Sequence, residues 1–182
     1  MNVITICGSL RKGSFNRMLM QALPALAPAG MNLKEASFEK VPFYNADLHA
    51  DGKFPDAVTA FADAIRAADG VILVTPEYNY TIPGALKNAI DWVSRLKEQP
   101  FKDKPVAIQS ATQGPLGGAR MQYHARTMFV FLNAIVFNTP EIFVGMAQTK
   151  FNDKGELTDE TTKDFIKRQL AAFAKFVERV KL

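Results

Sequence analysis

The stretch GVILVTPEYNYTIPGALKNAIDWVSRL, residues 70–96, decides the fold. Its first six residues, 70–75, are apolar and β-branched at nearly every position. A strand with one wet face alternates in polarity, whereas an unbroken apolar run belongs to a strand covered on both faces. A loop of polar and aromatic residues follows. Pro83 then opens a helix that runs to about Leu96, at a position where its missing N–H is harmless.

Read outward from there, strand and helix keep alternating. Residues 2–7, NVITIC, form a short buried strand bounded by Gly8 and Ser9. Leu19, Leu23 and Leu26 recur at helical spacing, and Pro28 and Gly30 end that helix. Residues 31–38 alternate apolar and polar and read as a second, less buried strand. Residues 41–50 are a loop carrying Pro42, Phe43 and Tyr44. Pro55 opens a helix with Val58, Phe61, Ala62 and Ile65 on one face. Residues 105–110 are the fourth strand, and Gly117 and Gly118 lead into a helix that ends near Asn133. Residues 135–144 carry a fifth, interrupted strand. Thr158 caps a last helix whose stripe is Phe165, Ile166, Leu170, Phe173, Phe176, Val177 and Val180.

The order βαβαβαβαβα predicts an α/β fold, one parallel sheet with helices on both faces. Right-handed crossovers leave few topologies. Ligands of such sheets sit outside the carboxyl ends of the strands, near the topological switch point. Function is therefore expected in the loops after strands one, three and four.

With 182 residues the chain reads as one domain, and 48% hydrophobic residues are enough for its core. Cys7 is the only cysteine, so no intrachain disulfide can form and a reducing, cytoplasmic setting is the default. The N-terminus has no basic segment and only a short apolar one, unlike a secretory signal. The longest apolar run, residues 128–137, is interrupted by Asn133 and is too short to span a bilayer. The net charge of +4 comes without clustered Lys/Arg and interleaved aromatics, which argues against nucleic-acid binding.

The first loop, residues 8–17, packs two glycines, two serines, an asparagine and three cations between a buried strand and a helix start. A helix N-terminus offers free N–H groups and a positive dipole end to a phosphate. Ser9, Ser14 and Asn16 can add side-chain donors and Arg11 a charge-assisted bond. No Gly-Lys-Ser/Thr closes it as a Walker loop, the glycines do not fit Gly-x-Gly-x-x-Gly, and no acidic residue ends strand two. The loop after strand three places Tyr78 and Tyr80 around Asn79, a suitable floor for a flat ring.

Together, GSLRKGSFNR and TPEYNYTIPGALKNAIDWVSR make the chain similar to the NAD(P)H-dependent FMN reductases, and within them to bacterial quinone and chromate reductases. QGPLGGARMQYHAR extends the resemblance, which covers essentially the whole chain. It implies a flavodoxin-like three-layer fold with strand order 2-1-3-4-5 and non-covalent FMN. It also implies NADPH or NADH as co-substrate, quinones and possibly metal oxyanions as acceptors, and a homodimer or homotetramer. By resemblance, Ser9, Arg11, Ser14, Phe15 and Asn16 should hold the FMN phosphate. Pro76, Glu77, Tyr78, Asn79 and Tyr80 should line the ring system, and Ser110, Thr112 and Gly114 in the third loop should close the cradle. No metal site and no catalytic side chain are expected, because the flavin N5 carries the chemistry.

Other residues have plainer readings. Cys7 is inert core, His49 an exposed loop residue, and His124 a surface or interface residue. Asp91 and Trp92 serve helix surface and packing. The fourth helix carries Met121, Ala125, Met128, Phe129 and Leu132 as a full stripe, widened by Val130 and Phe131. That width suggests an oligomer interface with the helix opened by Pro83, with Arg120, Tyr123 and Arg126 as its polar part. Two other functions compete: a flavodoxin-type electron carrier, and a regulatory module without turnover. Flavodoxin-type carriers tend to be acidic, and this chain is basic.

Overall fold

The computed structural model describes residues 1–180. Six parallel strands form one sheet: β1 (Asn2–Cys7), β2 (Asn32–Glu35), β3 (Gly70–Val74), β4 (Pro105–Ala111), β5 (Ile135–Val136) and β6 (Ile142–Val144). The order is β2-β1-β3-β4-β5, with β6 also on β4, so the expected 2-1-3-4-5 order is present. The helices are α1 (Phe15–Leu26), α2 (Asp56–Ala67), α3 (Gly84–Val93), α4 (Ala119–Phe131) and α5 (Glu160–Val180). Buried side chains of α2, α3 and α4 form the core on one face of the sheet, and those of α1 and α5 form it on the other. β3 and β4 are buried at every position, as strands covered on both faces are, and β4 buries the polar Gln109 and Ser110 as well.

The fifth strand breaks where its pairing slips. Pro105 faces Ile135, but Gln109 faces Ile142, so the edge chain runs three residues long between β5 and β6. Arg126 on α4 holds the out-looped residues through Phe137 O (3.2 Å), Asn138 Oδ1 (2.8 Å) and Glu141 Oε1 (3.3 Å).

Three boundaries differ from expectation. β2 stops at Glu35, although a bond from Ala36 N to Thr5 O and the burial of Phe38 prolong the alternation beyond it. An acidic residue therefore does end β2, but its carboxylate is paired with Arg17 Nη1 at 3.0 Å. Pro55 and Pro83 each sit one residue before their helix, at the N-cap.

The last helix is capped by Asp159 rather than Thr158. Thr158 is tied back to Lys150 O through both its N–H and its hydroxyl. Asp159 O accepts from Lys163 N, and its carboxylate accepts from Thr162 N (2.8 Å), from the Thr162 hydroxyl and from Lys150 Nζ (2.9 Å). The Thr162 hydroxyl and then Lys150 hold the Asp159 carboxyl at about 2, below the ordinary 3.8. Asp159→Ala is expected to destabilise the protein by about 1 kcal/mol at neutral pH. A depressed folded pKa gives stability that is present above the unfolded value and lost as pH falls through the folded one. Denaturant melts should show that loss in wild type between pH 4 and pH 2 and a flatter profile in the variant. Equal profiles would remove Asp159 from the cap.

Candidate functional site

The chain leaves β1 for β2 on one side and later reaches β3 on the other, so the switch point lies between the carboxyl ends of β1 and β3. Gly8 makes the crossing tight, with its N–H donating to Val74 O at 2.8 Å. A Cβ there would lie 2.0 Å from Thr75 Oγ1 and 2.5 Å from Thr75 Cβ.

The first loop folds on itself and keeps its donors available. Ser14 is the N-cap of α1, and its Oγ accepts from Asn16 N at 3.2 Å. Ser9 Oγ accepts from Arg11 N at 3.4 Å. Both serines are buried, and neither hydroxyl proton has an acceptor among the described residues. The N–H groups of Phe15 and Arg17 likewise have none, as first-turn groups of a helix do not. Arg11 lies beside Gly13 with no carboxylate partner among the described residues. Cys7, just before this loop, donates to Ser9 O at 3.4 Å, and burial pushes its thiol up.

The second loop is a two-residue hairpin, with Tyr78 N bonded to Thr81 O and Thr81 N to Tyr78 O. Asn79 (φ 50°) and Tyr80 (φ 69°) are both left-handed, which suits asparagine and strains tyrosine. The Arg120 guanidinium sits 4.1 Å from the Tyr80 ring centre. Arg120 also reaches Glu77 Oε1 (3.4 Å), while Glu77 Oε2 accepts from Met121 N (3.2 Å). The Glu77 carboxylate thus sits at the N-terminus of α4, where the dipole favours it. Nothing in the spacing of Glu77 and Arg120 signals this contact, which joins residues 43 apart. Thr81 also bonds His124 Nδ1, tying the hairpin to α4 a second time.

These loops and the third one surround a cavity of about 480 Å³. Ser9, Arg11, Ser14, Phe15 and Asn16 line one side, Pro76, Glu77 and Tyr78 another, and Ala111, Thr112 and Gln113 the third. Four expected residues do not line it. Asn79 and Tyr80 stand exposed at the hairpin tip. Gly114 is a turn, its carbonyl accepting from Thr112 Oγ1 and Met146 N. Ser110 is fully buried, donating to Gly117 O and accepting from Gln122 Nε2 at 2.7 Å. Neighbouring side chains on a strand point to opposite faces, and Ser110 falls on the α4 side.

Other expectations change too. His49 is not simply exposed: it stacks on Phe54 at 4.7 Å and meets Trp92 edge-on at 5.6 Å. Arg120, Tyr123 and Arg126 all bond within the chain, Tyr123 to Glu141 Oε2 at 3.4 Å. A larger cavity of about 550 Å³ lies between α3 and α4, lined by Ile90, Met128, Phe131 and Leu132 among others.

The site's chemistry is that of an anion at one end and a flat ring at the other. Two buried hydroxyls, the guanidinium of Arg11 and a helix N-terminus suit a phosphate dianion. The half-exposed Tyr78 offers a π-face beside it. These donors fit FMN.

Residues 1–149 match the family model described as NADPH-dependent FMN reductase. The whole chain is 50% identical to the quinone reductase of Escherichia coli (strain K12), spanning 98% of that protein. It is 46% identical to an NAD(P)H-dependent FMN reductase of Pseudomonas aeruginosa, over 98% of this chain and 96% of that one. The flavoenzyme NAD(P)H:(acceptor) oxidoreductase FerB from Paracoccus denitrificans superposes with a TM-score of 0.89 at 34% identity, over 100% of this chain and 99% of that one. The donors at the switch point fit a flavin phosphate, and the family model and these relatives show that the chain belongs to the NADPH-dependent FMN reductase family.

Proposed function

We propose that this protein is an FMN-dependent NAD(P)H:acceptor oxidoreductase with quinones as acceptors, working by ping-pong hydride transfer through one shared pocket. The observation that carries this reading is the cavity at the switch point, with uncommitted donors at one end and tyrosine at the other. Ser9, Arg11, Ser14 and the N–H groups of Phe15 and Arg17 would hold the phosphate. Pro76, Glu77, Tyr78, Asn79 and Tyr80 would frame the ring, and Thr112 would close the third side. When bound, FMN would accept hydride at N5 and pass electrons to the acceptor. The protein's part is to hold two flat rings at contact distance. Arg11 lines the cavity and the exposed Lys12 follows it in the same loop, a basic pair that would suit NADH or NADPH and would also attract metal oxyanions such as chromate.

The test is spectroscopic. Purified protein should show flavin absorbance that NADH or NADPH bleaches within one turnover and a quinone restores. Parallel lines in double-reciprocal plots should accompany this. Flavin left oxidised by both nicotinamides would make the protein a flavodoxin-type electron carrier. Asn79→Ala is expected to shift the flavin spectrum and slow turnover while FMN stays bound. Alanine loses about 1 kcal/mol in the left-handed region, and Asn79→Gly should keep the turn. Unchanged turnover and spectrum in Asn79→Ala would leave Asn79 as a turn residue only.

The assembly belongs to the same reading. Val130 and Phe131 are 77% and 83% exposed beside the α3–α4 cavity, while Met121, Ala125, Phe129 and Leu132 are buried in the subunit and Met128 is partly buried. A homodimer or homotetramer through α3 and α4 would cover them. Light scattering at micromolar concentration should report a dimer or larger, and Phe131→Glu should shift it toward monomer. A monomeric wild type would overturn this. Among the described residues no helix is long and apolar enough to cross a membrane, and a cytoplasmic setting is part of the proposal.

A further inference from the structure

The hydrogen-bond ladder around β4 has a gap, and a single side chain fills it. Backbone groups of successive strand residues face opposite neighbours. Gln109 faces β3, its carbonyl accepting from Thr75 N at 3.0 Å. Thr112 faces β6, donating to Val144 O at 2.9 Å. Ala111 therefore faces β3, but β3 ends at Val74 and the chain turns away at Pro76, which has no N–H. The buried backbone of Ala111 bonds instead to the side chain of Asn16. Asn16 Oδ1 accepts from Ala111 N at 2.9 Å, and Asn16 Nδ2 donates to Ala111 O at 2.8 Å. A primary amide presents a donor and an acceptor in one plane, as a peptide group does. Asn16 reaches past the end of β3 and stands where the next stretch of that strand would be.

We propose that Asn16 is a positioning residue of the flavin site, which fixes the third loop against the phosphate loop before FMN arrives. The inference rests on the FMN reading above. On its other flank the third loop is tied to the segment after β6, through Thr112 N to Val144 O and Ala147 N to Thr112 O. With Asn16 in place both flanks are held, and binding need not order the loop. The Asn16 amide acts through Ala111 and Thr112, so its contribution does not depend on a phosphate. Arg11, whose guanidinium has no partner among the described residues, depends on one entirely.

Flavins with and without the phosphate separate these roles. Flavin fluorescence quenching on titration with the full apo chain gives Kd for FMN and for riboflavin. Asn16→Ala should weaken both about tenfold and by similar factors, the scale of two lost buried hydrogen bonds. Arg11→Ala should weaken FMN alone. If Asn16→Ala weakens FMN and spares riboflavin, Asn16 is a phosphate ligand and the proposal falls. It also falls if neither Kd moves. Should Asn16→Ala not fold, hydrogen exchange at Ala111 in wild type decides. Protection of that amide in the flavin-free protein supports the clamp, and fast exchange until FMN is added overturns it. A wild type that binds neither flavin would end the FMN reading, and the exchange measurement would still decide the clamp.

Discussion

Replacing Gly8 with alanine is expected to lower Tm by about 5 °C or more and to empty much of the flavin site. The added Cβ would lie 2.0 Å from Thr75 Oγ1, 2.5 Å from Thr75 Cβ and 3.1 Å from Leu86 Cδ2. Rotation of the threonine moves its hydroxyl but not its Cβ, which is fixed to the backbone of a fully buried residue. Relief therefore requires the carboxyl ends of β1 and β3 to part. Overpacking of this kind costs about 1–3 kcal/mol or more, and in a chain of this size each kcal/mol is worth about 2–4 °C. The parting happens at the switch point, between Ser9 and Pro76, so it widens the cavity where the cofactor would lie. Adding Thr75→Gly to Gly8→Ala removes the obstructing atoms and should return part of the lost Tm. A Gly8→Ala protein that melts with wild type and keeps its flavin would show that these strand ends tolerate separation.

Arg11→Ala should weaken FMN about 10- to 100-fold, with the loss shrinking as salt rises. A charge-assisted bond to a phosphate is worth about 1.5–3 kcal/mol, and each 1.4 kcal/mol is tenfold in Kd. No acidic residue among those described pairs with Arg11, so removing the guanidinium strands no partner. The whole effect should therefore appear in binding, with Tm of the apo protein unchanged. Arg11→Lys should recover part of the affinity, because it restores the charge without the fork. Full flavin occupancy in Arg11→Ala would overturn the phosphate assignment.

The sheet was legible because β1, β3 and β4 are mostly apolar and each is followed by a loop and a helix signal. Periodicity was weaker at β2, where Phe38 continues the alternation after the pairing with β1 has ended. The loops were legible as sources of donors. What the sequence does not encode locally is which donors are already engaged. Asn16, Ser14 and Ser9 look alike as polar residues of one loop. Folding turns the first toward Ala111, 95 residues away, and leaves the two hydroxyls free. Ser110 and Thr112 likewise differ in where β4 ends: Ser110 lies inside the strand and is engaged by Gly117 and Gln122, whereas Thr112 lies just beyond it and lines the cavity. Glu77 reads from the sequence as a ring neighbour; it lines the cavity and also binds the start of α4, a partnership that only the assembled sheet creates.

The broken fifth strand also governs how copies of this protein can meet. β5 offers two residues and β6 three, separated by an out-looped segment pinned to α4. At the opposite margin β2 is four residues long and includes Lys34 and Glu35. Neither margin presents a long, flat row of backbone groups to a strand from another molecule. Polymerisation by sheet extension into fibrils is thus disfavoured, which leaves the exposed apolar residues of α4 as the better surface for ordered assembly.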